Sequence, residues 1–150
     1  MRVIAGTHRG RRLYSPEGLT LRPTSDRVRE ALFSILGNRL FNSRFLDLYA
    51  GTGAIGIEAV SRGAHRVTCV ESDIQAGQLL RLNVSRCEVR DRLSLSMQPV
   101  ERFLSQPDRW DGPYDIIFAD PPYALVSEFV TLLGAVDPDQ LFAADSWLII

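Results

Sequence analysis

Phe45-Leu46-Asp47-Leu48-Tyr49 and, one residue later, Gly51-Thr52-Gly53-Ala54-Ile55-Gly56 decide how this chain is read, because an apolar strand runs there into a glycine-rich turn that opens a helix. Glycine lacks a Cβ, so the backbone of such a turn can approach a nucleotide-like cofactor closely while the first N–H groups of the helix point at it. Strands and helices alternate outward from this point. Arg66-Val67-Thr68-Cys69-Val70-Glu71 is a second strand, residues 74–86 form a helix, 93–96 a third strand and 100–104 a short helix. A fourth strand covers residues 114–119. A helix through Phe129, Leu132 and Leu133 leads past a break at Asp137-Pro138 to a fifth strand, Trp147-Leu148-Ile149-Ile150. Such alternation predicts an α/β fold in which helices flank a parallel sheet.

The segment before the core is different in kind. Residues 3–7 and 12–15 read as two short strands around the basic turn His8-Arg9-Gly10-Arg11, which makes an amino-terminal β-hairpin. After the extended Leu21-Arg22-Pro23-Thr24, the spacing of Val28, Ala31, Leu32, Ile35 and Leu36 predicts a helix with one core face, capped by Ser25 or Asp26 and stopped at Gly37-Asn38. With 150 residues, 45% of them hydrophobic, the chain is expected to form a single domain, with residues 1–24 as an arm and 25–150 as the core. No apolar run approaches membrane-spanning length, which predicts a cytoplasmic protein with no membrane partner. Cys69 and Cys87 have no metal-ligand spacing, so buried thiols are expected and no metal.

The net charge of −1 hides an asymmetry. Arg2, Arg9, Arg11, Arg12, Arg22, Arg27 and Arg29 crowd the start of the chain against Glu17 and Asp26, and every basic side chain of the chain is arginine. Planar guanidinium groups suit phosphate contacts and base stacking, which makes the arm a candidate polyanion footprint, with a solvated charged surface as the alternative.

The glycine turn by itself fits a dinucleotide as well as an adenosyl group. Glu71, ending the second strand, could hold ribose hydroxyls of either. Asp47 discriminates. A carboxylate among Phe45, Leu46 and Leu48 costs several kcal/mol of desolvation unless it has a partner, and the charged amino group of a methionyl moiety is such a partner. Backbone N–H groups of the loop are the other candidate, and both can hold.

Tyr114-Asp115-Ile116-Ile117-Phe118-Ala119 ends in Asp120-Pro121-Pro122-Tyr123. Ligands of open α/β sheets bind outside the carboxyl ends of strands, so this tetrapeptide lies beside the glycine turn if strands one and four are neighbours. The exocyclic amino group of a base is a poor nucleophile, its lone pair being delocalised into the ring. The Asp120 carboxylate and the Pro121 carbonyl can each accept one of its hydrogens, aiming the nitrogen and stabilising positive charge that grows on it. Pro121 and Pro122 stiffen the turn, and Tyr123 can stack on an extruded base.

Asp120-Pro121-Pro122-Tyr123 resembles the [Asp/Asn/Ser]-Pro-Pro-[Tyr/Phe/Trp] motif of the amino-group class of S-adenosylmethionine methyltransferases. Arg2-Val3-Ile4-Ala5-Gly6, Arg9-Gly10-Arg11 and the run from Leu21 to Phe33 (Leu-Arg-Pro-Thr-Ser-Asp-Arg-Val-Arg-Glu-Ala-Leu-Phe) look like the RsmD family of 16S ribosomal RNA guanine-N2 methyltransferases. The resemblance covers essentially the whole chain. It implies a Rossmann-like class I fold and S-adenosyl-L-methionine as cofactor, with Asp47, Tyr49, Gly51, Thr52, Gly53, Gly56, Glu71, Ser72, Gln98, Pro99 and Asp120 around it. It also implies methylation of guanine 966 in 16S rRNA within a partly assembled 30S subunit, the RNA being held by Arg2, His8, Arg9, Arg11, Arg12, Arg22 and Arg27. Two departures stand out. Gln98-Pro99-Val100 replaces the acidic or amide pair that often holds the adenine, and the two antiparallel strands that normally follow the fifth are lacking, so the chain is expected to be carboxy-terminally incomplete and monomeric when complete.

Three alternatives stay open on sequence: an amino-methyltransferase of DNA adenine or protein glutamine, a NAD-dependent oxidoreductase using the same glycines, and a non-catalytic RNA-binding module. A short arginine-rich hairpin suits a structured RNA better than a DNA duplex.

Overall fold

The computed structural model describes residues 1–17 and 24–150. Leu21, Arg22 and Pro23 lie outside the described residues. Five strands, β1 (Arg44–Leu48), β2 (Arg66–Glu71), β3 (Leu93–Met97), β4 (Tyr114–Ala119) and β5 (Phe142–Ile149), form one sheet in the order β3-β2-β1-β4-β5. All four pairings are parallel. The helices are α1 (Asp26–Leu36), α2 (Ala54–Ser61), α3 (Ile74–Cys87), α4 (Val100–Leu104), α5 (Val126–Gly134) and α6 (Pro138–Leu141). The parallel sheet with flanking helices is the one expected from the alternation, and its Rossmann-like form is the one the resemblance implies. No helix among the described residues is long and apolar enough to cross a membrane.

Two cores cover the two faces. On one, α1, α2 and α3 pack against Phe45, Val67, Cys69 and Ile116. On the other, Val100, Phe103 and Phe129 pack against Leu46, Leu48, Val70 and Ile117. Both faces of β1 are therefore buried, which is why it reads as an unbroken apolar run interrupted only by Asp47. Side chains alternate along a strand, so Asp47 shares the α2 side of the sheet with Phe45, opposite Cys69 on β2.

Several expectations need correction. The amino-terminal hairpin is not two strands: it closes through a single antiparallel bridge, Arg2 to Arg12. Inside that bridge Gly10 N–H still donates to the Val3 carbonyl at 2.9 Å, but other groups turn to α2. The N–H groups of Ile4 and Ala5 donate to the Glu58 carboxylate at 2.8 and 3.0 Å, and Thr7 N–H donates to the Ser61 carbonyl at 2.8 Å, so the arm is docked on α2.

The buried face of α1 is Arg29, Leu32, Phe33 and Leu36, while Val28 and Ile35 are exposed. Arg29 turns the helix. Its guanidinium is fully buried, 2.6 Å from Asp26 and 3.6 Å from Glu58, and this brings Phe33 inward to stack on Phe45. The Asp26 carboxylate thus serves Arg29, and the Ser25 hydroxyl caps the helix.

Strand ends shift as well. β1 stops at Leu48 because Tyr49 adopts a left-handed φ of 61°. Asp137-Pro138 starts α6 rather than only breaking α5, with the Asp137 side chain as cap. β5 begins at Phe142, five residues earlier than its apolar run, because the exposed Ala144-Asp145 stretch carries no alternating pattern to read.

Candidate functional site

The chain leaves β1 toward β2 and β3, then crosses back to β4 and β5, so the order of connection reverses between β1 and β4. Crevices outside the carboxyl ends of strands at such a reversal are where open α/β sheets hold ligands. Leu48 of β1 is in register with Ala119 of β4 and Val70 of β2, which brings the glycine turn, Asp120 and Glu71 to one end of the sheet.

The glycine turn is built for close approach. Gly51 and Gly53 have φ of 57° and 80°, a region that L side chains rarely adopt. Among the described residues nothing lies within 4 Å of where a Cβ on Gly51 would stand, so that side of the turn is open. Gly56 works differently: a Cβ there would lie 2.6 Å from the Cys69 Sγ, so it lets α2 sit tightly against the sheet. Thr52 is buried in the turn.

Asp47 is the unusual group. It is buried, its Oδ2 accepts from Gly56 N–H at 3.1 Å with the Cys69 Sγ at 4.0 Å, and its Oδ1 has no hydrogen-bond partner among the described residues. The loop-tying role is thus present and half the carboxylate is left over. Burial pushes its pKa from 3.8 up to about 8, against the Gly56 hydrogen bond and with the help of Glu71 and Asp120. The Cys69 thiol beside it is pushed up too, mainly by burial. A buried acceptor lacking a partner, next to an open glycine turn, fits the amino group of a methionyl moiety.

The sign of the pH effect follows. The folded protein keeps a proton on Asp47 that the unfolded chain releases, so this group favours folding fully below pH 3.8 and loses that contribution as pH rises to about 8. Asp47→Asn should therefore flatten the fall in stability across this window, with the largest gain over the native chain at its upper end. Urea midpoints measured for both proteins across the window test it; parallel pH profiles would show that Asp47 ionises normally.

Glu71 is half-buried. Its Oε2 accepts from Gly51 N–H at 2.7 Å and its Oε1 accepts from the N–H groups of Ser72 and Asp73 at 2.8 and 2.7 Å. It fastens the glycine turn to the end of β2, and each oxygen keeps lone-pair capacity for a hydroxyl. Ser72 is exposed beside it. The Tyr49 ring meets Phe129 of α5 edge to face at 5.7 Å, so it forms a wall on the β4 side. Gln98 N–H donates to the Glu71 carbonyl at 3.0 Å and its side-chain amide donates to the Ser96 hydroxyl at 2.8 Å, which puts Gln98 and exposed Pro99 beside Glu71.

Asp120, Pro122 and Tyr123 are exposed and Pro121 is buried, so one proline anchors the segment while its neighbours face solvent. Tyr123 is 97% exposed, which leaves its whole ring free for a partner.

The arginine-rich turn lies elsewhere. Thr7 and His8 are fastened to Ser61, the last residue of α2, whereas the glycine turn precedes the first. Arg9 and Arg12 are exposed, Arg2 lies 4.0 Å from Asp26, and Arg11 is held by the Arg86 carbonyl at 3.0 Å and Glu88 at 3.7 Å. Partial burial and the nearby Arg11 and Arg92 lower the pKa of His8, which favours its neutral form. Arg27 is exposed on α1. The turn is thus fastened at the ends of α2 and α3, and none of its arginines contacts Asp120 among the described residues.

Reading the sequence gave Glu58 and Asn83 no role and counted Arg29 among the arginines of the candidate polyanion footprint, whereas all three are fully buried. The signal was present: each sits on an apolar helix face, where a polar residue needs a partner.

Comparisons with known proteins find relatives and solved structures that match nearly the whole chain. Ribosomal RNA small subunit methyltransferase D of Escherichia coli is 37% identical over 151 residues, covering 99% of this chain and 72% of the relative. The protein of the same name from Haemophilus influenzae is 36% identical over 137 residues, covering 89% and 70%. Among solved structures, Escherichia coli yhhF superposes with a TM-score of 0.80 at 36% identity, covering 99% of this chain and 78% of that one. A family model described as Conserved hypothetical protein 95 matches residues 1–150. Matched along its whole length, the chain belongs to the Conserved hypothetical protein 95 family, the RsmD family that Arg2–Gly6, Arg9–Arg11 and the run from Leu21 to Phe33 resemble.

Proposed function

We propose that this protein is an S-adenosylmethionine-dependent methyltransferase that modifies the N2 amino group of a guanine in small-subunit ribosomal RNA, working in the cytoplasm as one domain on a partly assembled subunit. The observation that carries this reading is the position of Asp120-Pro121-Pro122-Tyr123 at the carboxyl end of β4, directly across from the glycine turn that follows β1. The names of the Escherichia coli and Haemophilus influenzae relatives support the ribosomal RNA substrate.

Bound beside Gly51, the cofactor supplies an electrophilic methyl group on sulfonium. The chain does the rest. Asp47 Oδ1 receives the methionyl amino group, Glu71 the ribose hydroxyls, and Gln98 and Pro99 flank the adenine. The Asp120 carboxylate and Pro121 carbonyl accept the two hydrogens of the guanine amino group, turning its lone pair toward the methyl carbon. The Tyr123 ring, free in solvent, stacks on the base and holds it out of its RNA stack. Transfer would form the N–C bond as the sulfonium S–C bond breaks, with S-adenosylhomocysteine as leaving group, and Asp120 would stabilise the cationic nitrogen and receive the proton it releases.

Labelled S-adenosylmethionine incubated with unmodified small subunits, followed by mapping of the modified nucleotide, tests the reading. Label on a guanine N2 supports it, and label on another atom or none overturns it. Thermal shifts separate the cofactor classes, since S-adenosylhomocysteine should raise Tm by mass action and NAD should not.

Replacing Arg9, Arg11 and Arg12 by alanine should weaken RNA binding and reduce its salt dependence by about 0.7 to 0.9 in logarithmic slope for each phosphate that the turn no longer neutralises. Cofactor affinity should stay unchanged. An unaltered salt slope would show that the turn is not the electrostatic anchor. Arg11 should contribute least of the three, because Glu88 already pairs with it.

A further inference from the structure

Asn83 is fully buried on α3, and its carboxamide is engaged on both sides. Its Oδ1 accepts from Tyr14 N–H at 2.6 Å, while its Nδ2 donates to the Tyr14 carbonyl at 3.0 Å and to the Thr52 carbonyl at 3.0 Å. None of these partners is local in sequence. Tyr14 belongs to the arm that continues from the arginine turn, and Thr52 belongs to the glycine turn. One side chain therefore joins the two segments that the proposed function gives to RNA and to cofactor.

The connection has little slack. Asn83 mimics a backbone peptide toward Tyr14, making the donor and acceptor bonds that a paired strand would make. The peptide between Thr52 and Gly53 is gripped from both ends, since its carbonyl goes to Asn83 and its N–H donates to the Ala50 carbonyl at 2.9 Å. Leu80, three residues before Asn83 and buried like it, lies against Gly53 so closely that a Cβ there would stand 2.8 Å from its Cγ. Near the end of α3, the Arg86 guanidinium lies 4.9 Å from the centre of the Tyr14 ring and holds the arm from outside. A shift of the glycine turn thus meets the arm through one rigid amide rather than through soft apolar contacts.

We infer that Asn83 is a positioning residue that couples the glycine turn to the amino-terminal arm, so that cofactor in the turn orders the arm for RNA. This rests on the functional reading above, in which the turn takes S-adenosylmethionine and the arm takes RNA. Coupling of this kind is reciprocal: RNA on the arm tightens cofactor binding by the same factor.

Amide hydrogen exchange of the full chain, with and without saturating S-adenosylhomocysteine, tests the inference. In the native protein both the glycine turn and the Tyr14 amide should exchange more slowly with the ligand, Tyr14 by ~5-fold or more. In Asn83→Ala the turn should still respond and Tyr14 should not. A native Tyr14 amide indifferent to ligand while the turn responds overturns the coupling, and this comparison decides the matter even where the variant fails to fold. An alanine variant whose Tyr14 still responds overturns the role of Asn83. If neither segment responds because S-adenosylhomocysteine does not bind, the cofactor reading fails and the coupling fails with it, an outcome told apart by the silence of the turn itself.

Discussion

Asp120→Ala is expected to lower kcat for methyl transfer by ~10²-fold or more, the usual consequence of removing a preorganised acceptor from a reaction centre. S-adenosylmethionine affinity should stay within a few fold, because the side chain of Asp120 is directed at the base in the proposed mechanism while Asp47 and Glu71 hold the cofactor. The backbone should stay in place, since Pro121 is buried and keeps the segment anchored to the end of β4. Asp120→Asn, which retains one acceptor and loses the charge, should fall between the two. Single-turnover rates with labelled cofactor, alongside calorimetry of cofactor binding, make the measurement. Near-normal turnover in the alanine variant would remove Asp120 from the chemistry.

The largest effect on stability should come from Glu58→Ala. Glu58 is fully buried and its two oxygens serve Ile4 N–H, Ala5 N–H and the Arg62 Nε, with Arg29 at 3.6 Å. Removing it leaves the fully buried Arg29 guanidinium with Asp26 at 2.6 Å as its remaining carboxylate, while its Nε and Nη1 already have no hydrogen-bond partner among the described residues. Breaking a buried pair from one side costs about 3–5 kcal/mol. For a chain of this size that is on the order of 10 °C in Tm. Replacing Arg29 and Glu58 together by apolar residues of similar volume should recover much of the loss, because no buried charge is then left alone. A single variant that melts with the native protein would show that the arm is held by its apolar contacts, Val3 and Leu13, instead.

The parallel sheet was legible because its strands are buried on both faces and read as apolar runs of the right length. β2 and β4 fall where the sequence puts them, residue for residue. The crevice was legible for the same reason, since Asp47, Glu71 and Asp120 punctuate strand ends that the alternation had already located. The arm was not. Its Val3-Ile4-Ala5 run has strand character, but the Glu58 side chain captures its N–H groups 54 and 53 residues away, and no local pattern announces such a partner. The buried face of α1 was misread for a related reason. Periodicity counts apolar residues, whereas Arg29 sits inside and displaces Val28 from the core. The separation of the arginine turn from Asp120 was equally beyond reach, because it depends on which end of α2 the arm is fastened to.

That fastening gives the domain a sense of scale. The turn is tied to the last residue of α2 and the glycine loop precedes the first, and eight helical residues lie between them, a rise of roughly 12 Å. A lone nucleotide can fill the mouth beside Asp120 and leave Arg9 and Arg12 bare. On the proposed reading, a folded RNA that presents a base at the Asp120 end and phosphates at the arginine turn would touch both. If the proposed roles of Asp120 and the arginine turn hold, guanines in short or unstructured fragments should be methylated more slowly than the same guanine in a folded RNA, for want of a second handhold.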